Sequence, residues 1–141
     1  MGISAAIRKY SDHLTKKGKL LRAAWRAPLF RSMTHEALSE LLDSCTQPYY
    51  LTDQVIVRQG DKDESVYLVL SGSVRVVQSI PDSEKENFVA DLGPGEVFGE
   101  LAVLGAQARS ATVRALEPTS CLQAPGKAFL DALNQSPASS S

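Results

Sequence analysis

From Ile3 to Trp25 the apolar residues recur at steps of three, four and seven, through Ile7, Tyr10, Leu14 and Leu21. That spacing lines one face of an α-helix, and basic residues fill the other faces. Gly18 falls inside the stretch and costs about 1 kcal/mol relative to alanine in a helix interior, so a bend or a division into two shorter helices is expected there. Ala27-Pro28 closes the element, because the residue before a proline is pushed out of the helical region. Leu29 and Phe30 follow as two large apolar anchors. A second helix is expected next, with Thr34 as its cap, Glu36 in its first turn, and Leu38, Leu41, Leu42 and Cys45 on its apolar face. Pro48 stops it.

At Tyr49 the period changes from 3.6 to 2. Runs at Tyr49–Leu51, Gln54–Arg58, Ser65–Leu70, Ser73–Gln78, Asn87–Leu92, Ser110–Ala115 and Ser120–Gln123 predict strands. They are separated by turn signals such as Gly60-Asp61, Ser71-Gly72 and Gly93-Pro94-Gly95. Many short strands at this spacing indicate a mostly β fold with flanking helices, specifically an antiparallel jelly-roll barrel. The polar insert from Ser79 to Glu86 predicts a solvated hairpin tip. Alternation places Val76 and Ala90 facing inward. Lys127 to Leu133 predicts a short C-terminal helix with Phe129, Leu130 and Leu133 on one face. The Ser-rich end from residue 135 onward is expected to hold no structure. The division is therefore a basic helical segment over 1–26, a β domain over 27–134 and a tail over 135–141.

Composition narrows the function. The 141 residues suit one domain, and 43% hydrophobic with 22% charged residues argues against disorder. No apolar run reaches the roughly 18 residues of a membrane span, and no signal peptide opens the chain, so a cytoplasmic protein is expected. Cys45 and Cys121 lack metal or redox spacing and are expected to be buried, reduced thiols. Met1-Gly2 lacks the hydroxyl residue that myristoylation wants at position six, and Asn134-Gln135-Ser136 is a chance glycosylation triplet in a cytosolic chain. A jelly-roll metal site needs histidines on its strands, but His13 and His35 both precede them. No activated nucleophile or general base is placed there either, so neither a cofactor nor catalysis is expected. The net charge of −1 hides an asymmetry: residues 1–31 carry +7 and the remainder −8. The basic helix suits a partner protein or a neighbouring domain of the same chain; without interleaved aromatics it does not suggest nucleic acid.

The chemistry concentrates between Phe98 and Val113. Gly99 and Glu100 open what reads as one helical turn, and Arg109 follows nine residues after the acid. Amide groups freed at a helix start and a guanidinium suit a phosphate, while a carboxylate suits hydroxyls that donate to it. The competing explanation is a structural ion pair between Glu100 and Arg109 across a loop.

Phe98-Gly99-Glu100-Leu101-Ala102, six residues, then Arg109-Ser110-Ala111-Thr112-Val113 resembles the phosphate-binding cassette of the cyclic nucleotide-binding domain family. Leu29-Phe30, Gly60-Asp61, Tyr67 with Gly72, and Leu92-Gly93-Pro94-Gly95 extend the resemblance over residues 20 to 134. It implies that Gly99, Leu101 and Ala102 offer backbone N–H groups to a cyclic phosphate. Glu100 would accept from the ribose 2′-hydroxyl, and Arg109 would pair with a phosphate oxygen and with nearby carboxylates. Phe98, Ser110 and Ala111 complete the implied site. In the family a hydroxyl after the arginine can contact guanine and alanine there accompanies cAMP selectivity, so Ser110 allows both. The sequence departs from the family at Gly105-Ala106-Gln107-Ala108, where most members carry Gly-x-Pro, and in ending before the usual lid helix.

What the resemblance implies is a regulatory sensor of a cyclic purine mononucleotide, cAMP ahead of cGMP. It would relay binding through Leu29-Phe30 and Phe129-Leu130 to a partner domain, with a channel or transporter as one expected setting and membrane contact only through it. The alternative is a module of the same fold that binds no nucleotide, whose expected signature, loss of the acid or the arginine, is missing here. A bacterial-type transcription regulator would need a helix-turn-helix after the β domain, for which no residues remain.

Overall fold

The computed structural model describes residues 15–105 and 108–135. Helix α1 (Thr15–Ala24) leads through the single turn α2 (Pro28–Arg31) to α3 (His35–Asp43). Strands β1 (Tyr49–Tyr50), β2 (Val55–Val57), β3 (Ser65–Ser71), β4 (Val74–Ser79), β5 (Glu86–Leu92) and β6 (Val97–Phe98) follow. Helix α4 (Glu100–Gly105), strands β7 (Thr112–Ala115) and β8 (Thr119–Pro125), and helix α5 (Gly126–Asn134) complete the order. The first part of the expected N-terminal helix, and the tail from residue 136, lie outside the described residues. Gly18 is accommodated within α1 without a break.

The strands form two antiparallel sheets in the orders β1-β8-β3-β6 and β2-β7-β4-β5. The mostly β architecture with flanking helices is thus as expected, but the sheets are not closed into a barrel. Among the described residues no ladder joins the two. Their edges explain why: β1 and β6 are two residues long, too short to pair onward across a gap.

Strand β3 is buried on both faces because it lies between two cores. Its alternation sends Tyr67 and Val69 into the sandwich, where they meet Val57, Val74, Phe98, Val113 and Cys121. It sends Val66 and Leu68 outward, where Leu122 and Ala124 of β8 join them under the helices. Phe30, Leu38, Leu41, Phe129 and Ala132 cover that outer face. Phe30 and Phe129 meet edge to face, with ring centroids 5.9 Å apart. Thr34 caps α3 as expected, its hydroxyl accepting from the Ala37 N–H at 3.0 Å.

Helix α1 uses its surface differently from the expected stripe. Leu20, Leu21 and Ala24 pack on the helical core, while Trp25 remains 47% exposed. Trp25 stands just past the last residue of α1, its N–H still donating to the Leu21 carbonyl at 2.9 Å. Both cysteines are free; Cys121 is buried and Cys45 half-buried. Among the described residues no helix is long and apolar enough to cross a membrane.

Candidate functional site

Arg109 is the one arginine in the buried core, 4% exposed among the described residues. Its backbone is tied to the β2–β3 connection: its N–H donates to the Asp61 carbonyl, and its own carbonyl accepts from the Gly60 N–H, both at 2.8 Å. Its guanidinium donates to the carbonyls of Gly99, at 2.7 Å, and of Ser65. The Asp63 carboxylate stands 3.6 Å away as its counter-ion. Asp63 is itself held by the Ser65 N–H at 3.1 Å and the Tyr67 hydroxyl at 2.9 Å. Burial, then the hydrogen bond to Asp63, hold the Tyr67 hydroxyl well above the ordinary tyrosine range, so it stays a donor. The phenol also stacks on Phe98, centroids 4.9 Å apart and rings nearly parallel.

Gly99 makes the arrangement possible. Its φ of +91° lies in the left-handed region, and a Cβ there would stand 2.6 Å from an Arg109 amino nitrogen and 2.9 Å from the Ser65 carbonyl. The absent side chain therefore makes room for the arginine, a reason the sequence pattern alone does not reveal. Glu100 follows as the first residue of α4, with Leu101 and Ala102 beside it in the first turn, where N–H groups have no intrahelical acceptor.

Glu100 and Arg109 form no ion pair with each other among the described residues, which removes the structural ion pair as an explanation of their spacing. Instead each keeps a buried polar atom without a partner: Oε2 of Glu100 and Nε of Arg109. Both side chains line one cavity of about 210 Å³. Val57, Val76, Val97 and Val113 of the strands form apolar parts of its wall. A buried acceptor and a buried donor without protein partners, on two side chains that line one cavity, are costly unless a ligand or water meets them.

Residues 47–136 match the cyclic nucleotide-binding domain. The chain belongs to that family. Similar proteins include the cAMP-dependent protein kinase regulatory subunit of Blastocladiella emersonii, 31% identical across 84% of this chain and 29% of that protein. The cGMP-dependent protein kinase egl-4 of Caenorhabditis elegans is 29% identical across 74% of this chain and 14% of that protein. Among solved structures, the regulatory domain of Toxoplasma gondii PKA, crystallised with cAMP, superposes with a TM-score of 0.78 at 27% identity, covering 83% of this chain and 44% of that one. The chain thus spans less than a third of the two kinase-related proteins it matches.

In this cyclic nucleotide-binding domain the structure gathers nearly every residue that the sequence nominated. Phe98, Gly99, Glu100, Leu101 and Ala102 on one side, and Arg109, Ser110 and Ala111 on the other, line the same cavity. Ala106 and Gln107 of the departing loop lie outside the described residues. Val76 lines the cavity as expected, whereas Ala90, its partner across the β4–β5 ladder, is half-buried and not on the wall. Val89 is on the wall instead. The register explains this: Val76 pairs with Ala90 but Val77 pairs with Phe88, so Val89 is an extra residue. The bulge breaks the strict alternation on which the placement of Ala90 rested. Gln78 also lines the cavity and was not nominated, because a polar residue near a hairpin end reads as solvated surface. Asp63 and Ser65 were missed for another reason: they reach Arg109 only through the fold. Among the described residues there is no cluster of three or more potential metal ligands.

Proposed function

We propose that this chain is a sensor module that binds a cyclic purine mononucleotide, cAMP in preference to cGMP, and does no chemistry on it. One observation carries the proposal. Glu100 and Arg109, oppositely charged, line the same cavity, and each keeps a buried polar atom without a protein partner, Oε2 and Nε. A cyclic nucleotide supplies what each lacks, a hydroxyl for the carboxylate and an anionic oxygen for the guanidinium. The relatives' cAMP and cGMP dependence and the cAMP in the Toxoplasma structure support the same ligand class.

Binding would be read out by packing. A ligand shifts an equilibrium only by its difference in affinity between two states, so a responsive helix must contact the cassette differently in each. Helix α4 touches both β3 and α5, and α5 carries Phe129 against Phe30 of α2. That chain of contacts links the clamp to the N-terminal helices, through which a protein or intramolecular partner would receive the signal. A cytoplasmic setting, with any membrane reached through a parent channel or transporter, fits this role, and the chemistry requires no cofactor.

Calorimetry with each nucleotide tests the proposal. Glu100→Ala and Arg109→Ala should each weaken binding by more than about 1 kcal/mol, the lower end for losing a charge-assisted bond. Because Arg109 also supports Gly99 and Ser65, Arg109→Lys serves as a variant that keeps the charge but not the fork. Unchanged affinity in all three would remove the clamp. Failure of both nucleotides at millimolar concentration to raise the melting temperature would favour the module of the same fold that binds none.

A further inference from the structure

The clamp accounts for one end of the ligand and leaves the purine to the rest of the cavity. Beyond the cassette, Phe98 to Val113, the wall is built from valines and a single polar side chain, Gln78 at the end of β4. Its amide is not free to point either way. Nε2 of Gln78 lies 3.1 Å from the carbonyl oxygen of Ser110, the residue next to Arg109. A carbonyl only accepts, so the amide must turn its nitrogen toward Ser110, and the Oε1 position follows from that contact. What remains for a ligand is one acceptor, Oε1, and the second N–H of the same amide.

We propose that Gln78 is the residue that reads the base and sets the preference for adenine over guanine, an inference that rests on the cyclic-nucleotide function proposed above. With phosphate held by the Gly99–Arg109 end and ribose by Glu100, the base is the part of the ligand left to meet β4 and β5. A glutamine amide matches the N6 amino donor and N7 acceptor of adenine in a bidentate pair. Guanine offers two acceptors on that edge, O6 and N7, so Oε1 would face O6 with no proton between them. The tie between Gln78 and the Ser110 backbone also joins base recognition to the arginine that holds phosphate.

The test compares the parent chain with Gln78→Met, which keeps the length and removes both polar atoms, using calorimetry with cAMP, cGMP and the 7-deaza analogue of cAMP. The expected result is that the substitution weakens cAMP by about fivefold or more, the lower end for a bidentate base contact, and leaves cGMP within about twofold. The 7-deaza analogue should bind more weakly than cAMP to the parent and equally with cAMP to the variant. A cAMP-to-cGMP ratio unchanged by the substitution, whether both affinities hold or both fall together, overturns the role of Gln78 and leaves the clamp intact. A parent chain that binds none of the three nucleotides overturns the cyclic-nucleotide function and this inference with it.

Discussion

At Gly99 an added methyl group meets two obstacles at once, a φ of +91° and the Arg109 guanidinium 2.6 Å from where the Cβ would sit. Gly99→Ala should therefore cost about 1 to 3 kcal/mol of folding stability, the range for a non-glycine residue held in a sparsely populated backbone region. Urea denaturation measures this, and calorimetry should show a parallel loss of nucleotide affinity because the arginine is displaced. A neutral result would mean that the left-handed turn and the arginine's seat are not coupled. Asp63 acts on the same guanidinium, at the nitrogen that also donates to the Ser65 carbonyl. It holds the Ser65 N–H and the Tyr67 hydroxyl while it faces Arg109 at 3.6 Å. Such a carboxylate holds the arginine in place, and Asp63 is not among the residues that line the cavity. Gly99 and Arg109 were legible as a pair from the cassette pattern, but their contact was not, since ten residues separate them and only the folded loop brings them together.

Among the elements, α4 is six residues long, and a helix that short does not persist without tertiary support. Val103 is its buried anchor, and Leu101 and Leu104 remain 73% and 51% exposed. The neighbouring contact between α2 and α5 rests on Phe30 and Phe129, both fully buried. Phe129→Ala should lower stability by about 3 to 5 kcal/mol, the usual range for a buried phenylalanine. A double-mutant cycle with Phe30→Ala should show a coupling of about 0.5 to 1.5 kcal/mol for the ring pair itself. Additive effects in that cycle would mean that the two helices do not sense each other through these rings. At the α3 start, Thr34→Ala should cost about 0.5 to 2 kcal/mol because it orphans the Ala37 N–H that the hydroxyl now satisfies. Thermal or urea unfolding reads either loss. The strands were legible from their period because alternation is a local property. The β6 pair Val97–Phe98 was not, since two residues carry no period.

For the whole molecule, ionisation linked to folding acts in one direction at alkaline pH. Burial pushes the thiols of Cys45 and Cys121 up to about 12, and the Tyr50 hydroxyl is pushed up to about 12, chiefly by burial as well. The unfolded chain releases these protons first, at the ordinary values of 9.0 for cysteine and 10.0 for tyrosine. The native state therefore binds more protons than the unfolded state across that interval, and stability falls as pH rises. Their contribution should be complete below about pH 9 and should decline progressively toward pH 12. Urea denaturation at a series of pH values checks this, and Cys45→Ala should make the decline shallower. Ligand should act oppositely: a nucleotide at a hundredfold excess over its Kd adds about 2.7 kcal/mol to the stability of the native state. The contrast between the basic N-terminal segment and the acidic remainder belongs to this scale too. Lys17 of the basic segment pairs with Asp43 of the acidic remainder at 2.8 Å, and Trp25 is exposed beside Arg22 and Arg26.

By itself the sequence determined the change from helical to strand periodicity, the turns and the antiparallel class, which are matters of spacing within a few residues, where side-chain period and backbone preference act directly. The residues of the proposed clamp from Phe98 to Ala111 came from the resemblance of the whole stretch to the family's cassette. Tertiary structure alone decided which groups face the clamp from outside. Ser65 supplies a carbonyl to Arg109 from 44 residues away, Asp63 supplies the counter-charge, and the bulge in β5 puts Val89 on the wall where strict alternation would put Ala90. It also left the sheets unclosed and Trp25 outside the core. Each of these depends on how distant strands register against one another, and a one-residue change in register reverses which face a side chain occupies.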